Sequence, residues 1–295
     1  MYILIVNPIS GQGAALRHLD EVKALFERRN LEYRVVEAAA TDEATNTARS
    51  AVADGVQGVV ALGGDGTLFA IANGMAGSDV PLLFAPCGTG NDFVRMLDLP
   101  KDPVQALEMQ LDAPAGSIDV GKMNDTCFLN VSGTGFDVEV LRYVDAFKEK
   151  HSGLKAYMLA LVKAIRNYKP MTAHVSIDGG EEVEMQFAIL SVGNGRYIGS
   201  GMLAVPDATV NDGYFDVVVV SPVRKIMILP LIAFYIFGKH LKLKLAKSYR
   251  CKSLRLRRPG STFNLDGELI CADSAEYKLL PGALRVQIPS LAGEK

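Results

Sequence analysis

Three glycine-rich segments, each directly after a strand-like apolar run, carry the clearest chemical signal in this sequence. They span residues 7–13, 63–67 and 86–90. Glycines let a backbone approach a polyphosphate closely, and the unpaired amides that begin a following helix donate hydrogen bonds toward phosphate oxygens. The three segments together predict a cradle for phosphate groups.

The familiar nucleotide-binding loops do not fit these segments. After Gly11 and Gly13, Leu16 stands where the dinucleotide fingerprint G-x-G-x-x-G needs its third glycine. The sequence also lacks the P-loop pattern G-x-x-x-x-G-K-[ST] and the signatures of the protein kinases. A phosphate-binding fold of another kind is therefore indicated.

Several acidic residues are candidates for chemistry. Asp65 stands where the second glycine segment opens a helix, and a carboxylate there repels bare phosphates unless a metal or a proton intervenes, which favours a magnesium-linked role over a simple helix cap. Asp266 and Gly267 read as a hairpin turn, with Glu268 a surface residue beside it. His240, alone in a lysine-rich segment, is a competing base that we expect at the surface.

Strands and helices alternate up to about residue 115, as expected for a parallel α/β layer. Beyond this point strands dominate, and residues 178–180 give a strong hairpin signal. Residues 154–168 predict a helix whose buried stripe includes Met158. The alternating apolar and basic residues 241–245 predict a half-buried strand.

The bulk properties exclude several classes of protein. With 295 residues, two domains are expected, and a net charge of -2 argues against nucleic-acid binding. The four cysteines are dispersed without metal-ligand spacing, which favours a reducing cytosol over a zinc site or a disulfide framework. The first residues resemble a core strand more than a signal peptide.

A basic segment follows the near-continuous apolar strand that begins at Phe215. Between Asp216 and Asp266 the sequence has no acidic residue, and eleven Lys and Arg residues from Arg224 to Arg258 accumulate around the apolar run 226–237. As a helix this run measures roughly 18 Å, too short for a bilayer core of ~30 Å. It either lies on an anionic membrane surface or is a buried helix with a basic edge.

The order of the motifs resembles the diacylglycerol kinase catalytic domain family, specifically its bacterial lipid kinases. The matching motifs are NPxSG, GGDGT and P-x-GT-x-NDF, followed by residues 118–121, 128–137, 193–202, 211–213 and 266–268. The resemblance implies a Rossmann-like parallel α/β domain over residues 1–116, completed by residues 284–295. It implies a β-sandwich domain over residues 117–283 and an active site in the cleft between the domains.

The resemblance also implies roles for individual residues. ATP would be the phosphoryl donor, with Mg2+, and Glu268 would accept the proton of the substrate hydroxyl, with Asp266 beside it and Asp65 near the phosphates. A structural magnesium would be held by the Asp212 carboxylate and the carbonyls of Thr209 and Tyr214. The residues that would contact the nucleotide are Asn7, Thr41, Gly64, Asp65, Gly66, Thr67 and Thr89.

One departure from the family is visible, because Phe69 and Ala70 stand where the family usually has Asn-Glu. The resemblance implies a kinase that phosphorylates the hydroxyl of diacylglycerol or a similar lipid. The cysteines and the basic segment lead us to expect it in the cytoplasm, peripheral at the inner membrane surface, with a homodimer as one option. The alternatives are a kinase of a sphingoid base or of phosphatidylglycerol, and a non-catalytic nucleotide- or lipid-binding regulator.

Overall fold

The computed structural model describes residues 1–148 and 153–289. The first domain alternates strands with helices, as the sequence predicts. Its strands are β1 (Tyr2–Val6), β2 (Tyr33–Glu37), β3 (Gly58–Gly63) and β4 (Ser78–Pro86). Its helices are α1 (Ala14–Arg28), α2 (Thr41–Ala53), α3 (Asp65–Met75), α4 (Asp92–Met96) and α5 (Pro103–Leu111).

The second domain is a β-sandwich to which helices are added. Its strands are β5 (Ala115–Met123), β6 (Thr126–Phe128), β7 (Val131–Gly135), β8 (Met171–Ile177), β9 (Val183–Phe187), β10 (Ile189–Gly193), β11 (Tyr197–Ile198), β12 (Met202–Leu203), β13 (Phe215–Val220), β14 (Ala246–Cys251), β15 (Ser253–Leu265) and β16 (Glu268–Gln287). Its helices are α6 (Phe136–Lys148), α7 (Gly153–Asn167) and α8 (Lys225–Ile236).

The long strand β16 belongs to both domains. Its first part pairs with β15. Its last part lies between β5, to which it is antiparallel, and β4 of the first domain, to which it is parallel, with Leu284 opposite Ser78 and Val286 opposite Leu82. The first-domain sheet therefore has the order β16-β4-β3-β1-β2, all parallel. The division of the chain at residue 116 stays a prediction, and residues 290–295 lie outside the described residues.

Separate apolar cores cover the sheet faces. Side chains of α2 and α3 pack on one face of the first-domain sheet, and side chains of α1 cover the other. In the second domain the core contains stacked rings of Phe128 and Phe215, whose centroids are 5.8 Å apart. Burial of these faces explains why β1 and β3 are continuous apolar runs rather than alternating ones.

The segment 239–245 differs from the predicted strand. Residues Lys239–Lys242 form a 3-10 turn, and β14 begins only at Ala246. Gly238 has a positive φ of 66°, which redirects the chain after α8. No helix in residues 1–148 and 153–289 is long and apolar enough to cross a membrane.

Candidate active site

The three glycine segments meet at the carboxyl ends of β1, β3 and β4. A methyl group on Gly64 would stand 2.9 Å from the Gly88 Cα, and one on Gly11 would stand 1.9 Å from the carbonyl oxygen of Cys87. The Cys87 N–H also donates to the Gly63 carbonyl at 2.8 Å. Glycine is needed at these contacts because the backbones touch. The three segments together form one continuous edge of backbone suited to anions, which we call the glycine edge.

Asp65 lies at the centre of this edge, as the first residue of α3. Its Oδ1 accepts a hydrogen bond from the Phe93 N–H at 3.4 Å, and its Oδ2 lies 2.8 Å from the position of a Cβ on Gly90. Burial raises the pKa of Asp65, although backbone amides at the start of α4 oppose the rise. A half-buried carboxylate beside an edge of backbone suited to anions is itself suited to a cation or a proton.

Asp92, which the sequence marks only as part of the motif P-x-GT-x-NDF, is a second acid of the site. Its Oδ2 accepts a hydrogen bond from the Ser200 N–H at 2.9 Å, and its buried Oδ1 has no hydrogen-bond partner in the described part of the chain. Burial, and then the neighbouring Asp65, raises the pKa of Asp92 to about 6. Its position as the first residue of α4, like that of Asp65 as the first residue of α3, was the available signal.

The predicted turn at Asp266 and Gly267 is present, with Leu265 paired to Glu268 across it. Both turn residues have a positive φ, 49° and 107°, as two-residue hairpins require. The Asp266 carboxylate points inward and accepts the N–H groups of residues 129, 130 and 131 at 2.6, 2.9 and 3.0 Å. This acid therefore ties the turn to the segment that enters β7.

Desolvation raises the pKa of Asp266 to about 7, against the lowering effect of its three backbone donors. The negative charge of Asp65 adds to the rise. Two carboxyl groups that disfavour each other's ionisation are stabilised when a cation or a proton lies near them. The hairpin of the second domain thus acts electrostatically on the glycine edge of the first.

Glu268 is exposed, and its carboxylate faces the second glycine segment. Its Oε1 lies 3.8 Å from the position of a Cβ on Gly66. The fold therefore brings Asp65, Asp266 and Glu268 to one cleft.

Across the described residues, no group of three or more His, Cys, Asp or Glu side chains is spaced to hold a metal by itself. Magnesium commonly takes one or two carboxylates and completes its shell with phosphate and water.

The other predicted nucleotide contacts lie along the same edge of the sheet. Thr67 packs tightly on Gly63, because a methyl group added to Gly63 would stand 2.2 Å from the Thr67 Oγ1. The Asn7 Oδ1 accepts the N–H of Ile9 at 3.1 Å, whereas Thr41 begins α2 and Thr89 is exposed in the third segment. Their roles in nucleotide binding stay predictions.

Phe69 and Ala70, which replace the family's polar pair, are both buried. Phe69 joins the core of the second domain. The Asn73 amide, one turn further along α3, holds the Cys127 backbone with hydrogen bonds of 2.9 and 2.8 Å. At this point α3 contributes apolar contact between the domains.

An apolar cavity of about 490 Å3 opens beside the acids. Its lining includes Asp65, Asp92 and Asp266 together with side chains of α6, α7 and α8. The helix side chains include Val140, Leu141, Tyr157, Leu161, Ile228, Leu231, Ile232 and Tyr235. The volume is within the ~300–1,000 Å3 usual for ligand cavities.

Asp137 is a polar exception in this cavity and escaped sequence reasoning. Gly133 makes room for it, since a methyl group there would stand 2.1 Å from the Asp137 Oδ2. Neither carboxylate oxygen makes a hydrogen bond of good geometry with the described residues, although the Val138 N–H and the Asn264 amide lie close enough to lower the pKa. Burial outweighs them and raises that pKa to about 6.

His240 is buried, so the expectation of a surface residue is wrong. Its Nε2 lies 3.1 Å from the Ala204 carbonyl oxygen, and its ring is 4.7 Å from that of Tyr235. Burial lowers the pKa of His240. The ring lines the cavity, and its nearest contacts are the Ala204 carbonyl and the Tyr235 ring.

The loop predicted to hold a structural magnesium has the right donor types but a competing cation. The Asp212 Oδ1 accepts the Tyr214 N–H at 3.1 Å, and its Oδ2 is bonded to the Arg250 guanidinium. Arg250 and Lys252 also lie 4.5 and 5.1 Å from the centre of the Tyr214 ring. A magnesium ion would have to displace Arg250. Thr209, whose carbonyl is another predicted ligand, lies three residues before Asp212 and is half-buried.

Comparison with known proteins identifies matches over both domains. Residues 1–123 match the family described as "Diacylglycerol kinase catalytic domain". Residues 130–288 match the "YegS C-terminal NAD kinase beta sandwich-like domain". The matches cover the glycine edge and the hairpin with Asp266, respectively.

Full-length relatives are similar throughout. A diacylglycerol kinase of Mycobacterium tuberculosis is 30% identical over 97% of this chain and 94% of its own. A probable lipid kinase, YegS-like, of Pseudomonas fluorescens is 32% identical over 92% and 91%. The crystal structure of a putative diacylglycerol kinase from Bacillus anthracis superposes with a TM-score of 0.80 at 26% identity, covering 98% of each chain.

Proposed function

This chain belongs to the diacylglycerol kinase catalytic domain family, and we propose that it is an ATP-dependent lipid kinase. Its substrate is the hydroxyl of diacylglycerol or of a similar lipid alcohol. The M. tuberculosis and B. anthracis proteins named above are similar over nearly their whole length. That similarity supports the reaction class, and the substrate is argued from the site.

The observation that carries the proposal is the junction between the glycine edge and the apolar cavity. Phosphate groups fit the edge formed at Gly64 and Gly88, whereas a lipid chain fits the cavity of about 490 Å3. Asp65, Asp92 and Asp266 line the place where the two meet. An enzyme that joins a nucleotide phosphate to a lipid alcohol needs such a junction.

The chemistry is an in-line transfer of the γ-phosphoryl group. The lipid hydroxyl oxygen bonds to the γ-phosphorus, the bond to the β–γ bridging oxygen breaks, and ADP leaves. Glu268 is the candidate that accepts the hydroxyl proton, since its carboxylate is exposed in the cleft opposite Gly66. Asp266 positions the hairpin that carries Glu268 through its three backbone hydrogen bonds.

Asp65, with Asp92 behind it, is the candidate for holding magnesium together with the nucleotide. The raised pKa values of both acids fit a site that gains stability from a cation. Magnesium would neutralise charge on the phosphates. The protein side chains supply orientation, and the contact between α3 and the second domain excludes water behind the reacting groups.

The test is direct. The purified protein is incubated with ATP labelled in the γ-phosphate and a total lipid extract, and the labelled lipid is identified by mass spectrometry. We expect a phosphorylated lipid alcohol and one ADP for each product formed. A labelled product that is not a lipid, or no product with any lipid, would contradict the proposal and favour the non-catalytic regulator.

A second substrate class has one observation in its favour. The buried Asp137 carboxylate faces the cavity with unmet capacity to accept hydrogen bonds, and a sphingoid base would offer an amine and a second hydroxyl. Diacylglycerol has no such second donor. Competition between the two lipids at equal concentration distinguishes them.

We further propose contact with an anionic membrane surface through the basic segment Arg224 to Arg258. Basic residues near such a surface contribute ~1 kcal/mol each. The buried-helix alternative loses support because most side chains of α8 are exposed, and Ile228 is its buried residue. A peripheral location at the inner membrane surface would follow from this contact.

A further inference from the structure

Helix α8 is apolar on both sides, yet it covers the protein with one side only. Ile228, Ile232 and Tyr235 line the cavity. On the outward side Ile226, Leu229 and Phe237 are 82%, 61% and 68% exposed. A helix that is apolar all round is expected inside a protein or in lipid, so this outward side needs a partner.

Helix α7 extends the apolar surface. It contacts α8, and the Lys225 Nζ donates to the Arg166 carbonyl at 2.5 Å, which joins the two helices at their ends. Met158, Leu159 and Val162 of α7 are also exposed. We call the exposed apolar side chains of α7, α8 and Phe237 the α7–α8 face.

The charges that flank the apolar run of α8 in the sequence have one sign. Arg224 and Lys225 precede the apolar run, and Lys239, Lys242 and Lys244 follow it, all exposed. Residues 217–265 contain no acidic side chain. The Lys239 Nζ lies 5.9 Å from the centre of the Phe237 ring, so a cation stands directly beside the most exposed aromatic ring of the face. Anionic headgroups match such a rim, and acyl chains match its centre.

We propose that the α7–α8 face inserts into the acyl region of an anionic bilayer, with α8 lying in the plane of the interface. The inference rests on the proposed function, because it explains how a bilayer-resident lipid reaches the cavity. At ~1.5 Å per residue α8 is roughly 18 Å long, which suits an interfacial helix rather than a spanning one. Its inner side lines the cavity, so a lipid passing beneath α8 stays among apolar groups.

Insertion differs from electrostatic docking in its response to salt. At about 1 M salt the Debye length falls to ~3 Å, which screens exposed charges but leaves apolar burial in place. We therefore expect the basic rim to speed and strengthen the first encounter. Apolar insertion then supplies binding that persists in salt.

The absence of tryptophan from the sequence makes a clean experiment possible. Phe237→Trp places a single fluorophore on the α7–α8 face, and Val183→Trp places one at an exposed site on β9 as a control. Both proteins are titrated with vesicles of phosphatidylglycerol and phosphatidylcholine, without ATP. We expect a blue shift and quenching by bromine-labelled acyl chains for Phe237→Trp, persisting at high salt, and neither change for Val183→Trp.

A second variant tests the apolar contribution. Leu229→Asp in the Phe237→Trp background should weaken vesicle partitioning by ~10-fold or more, since it removes one apolar side chain and adds a charge. Val183→Asp is the matched control and should leave partitioning unchanged. Vesicle binding without a blue shift of Phe237→Trp, or equal partitioning with Leu229→Asp, would overturn the proposal.

The result is separable from the kinase assignment. Leu229 does not line the cavity, so Leu229→Asp should retain activity on a short-chain lipid alcohol dissolved as monomers while losing activity on vesicles. If the unmodified chain had no activity on any lipid alcohol, the proposed function itself would be rejected. A blue-shifted Phe237→Trp spectrum before vesicles are added, dependent on protein concentration, would mean that a second copy covers the face and would overturn insertion.

Discussion

Gly64 of the second glycine segment and Gly88 of the third are in direct backbone contact. A methyl group on Gly88 would stand 2.5 Å from the Gly64 Cα. That Cα belongs to the backbone, so it cannot move aside as the end of a flexible side chain could. The glycine edge therefore depends on two residues far apart in the sequence. Its shape is set by contact between two loops rather than by one motif.

The first prediction separates this packing from ligand contact. Gly88→Ala should lower the free energy of unfolding by ~1 to 3 kcal/mol, the usual cost of overpacking, and reduce ATP affinity. Gly66→Ala should keep the wild-type stability because its new methyl group has only one contact, at 3.8 Å from Glu268. Urea denaturation and calorimetric ATP titration measure both variants. Equal stability of Gly88→Ala and wild type would show that the loops move apart freely.

The second prediction concerns the proton acceptor. Glu268→Gln should lower turnover by ~10² to 10⁴, the range for loss of a general base, while leaving ATP affinity nearly intact. Asp65→Asn should impair both turnover and ATP affinity, because Asp65 lies at the glycine edge. Glu181→Gln, an exposed residue after β8, serves as the control. Wild-type turnover of Glu268→Gln at saturating substrates would assign the base to another group.

The third prediction uses the buried Asp137. Its pKa is raised from 3.8 to about 6, so the folded state binds more protons than the unfolded state within this interval. The free energy of unfolding therefore falls as pH rises from about 4 to about 6, and the loss persists above it. Asp137→Asn should remove this loss and stabilise the protein near pH 8 by on the order of 3 kcal/mol.

Denaturant unfolding at several pH values checks this expectation. Asp54→Asn, at an exposed residue after α2, is the matched control and should leave the pH dependence unchanged. Parallel pH profiles for Asp137→Asn and the wild type would indicate that Asp137 is satisfied by groups near it, such as the Asn264 amide.

The fourth prediction addresses the loop at Asp212. If magnesium binds there, it competes with Arg250, so Arg250→Ala should enlarge the rise in melting temperature on adding magnesium. Asp212→Ala should abolish the same rise and lower activity. Thermal unfolding with and without magnesium measures both. The same rise in all three proteins would place magnesium elsewhere and leave Asp212 as the partner of Arg250 alone.

The fifth prediction concerns the basic rim. Replacing Lys239, Lys242 and Lys244 with Gln should weaken binding to anionic vesicles at low salt, with little effect on a monomeric short-chain substrate. Added salt should mimic the change, because exposed charges are screened beyond ~10 Å at 0.1 M. Co-sedimentation with vesicles measures the effect. A control protein with three distant exposed changes, Arg34→Gln, Lys101→Gln and Lys278→Gln, should bind like wild type, and equal affinity of the two triple variants would contradict the prediction.

Features with local causes could be predicted from the sequence. The hairpin at residues 178–180 joins β8 to β9 because Asp178 and Gly179 accept positive φ values. The glycine segments follow strands because an apolar run and a glycine turn are both readable within a few residues. The motif order carried the family resemblance, and with it the expectation that Glu268 reaches the site.

Features with distant causes could not be predicted in this way. Met158 was expected in a buried stripe but is exposed, since helical spacing defines a face without saying what covers it. His240 is buried by Ala204 and Tyr235, and Asp92 acquires its neighbours from loops remote in sequence. The alternation at 241–245 arises in a turn, where exposed lysines and half-buried leucines also alternate.

The shared strand β16 gives the order of synthesis a role in folding. Until the chain has grown past Val286, β4 is paired with β3 on one side only, and its other edge presents a row of unpaired amides and carbonyls. The parallel sheet of the first domain thus lacks one strand while its own residues emerge, and it is completed only after the sandwich has been synthesised. A nascent chain interrupted before Leu284 would expose a template for strand addition, so we expect arrested or shortened products to aggregate rather than to persist as an independent domain.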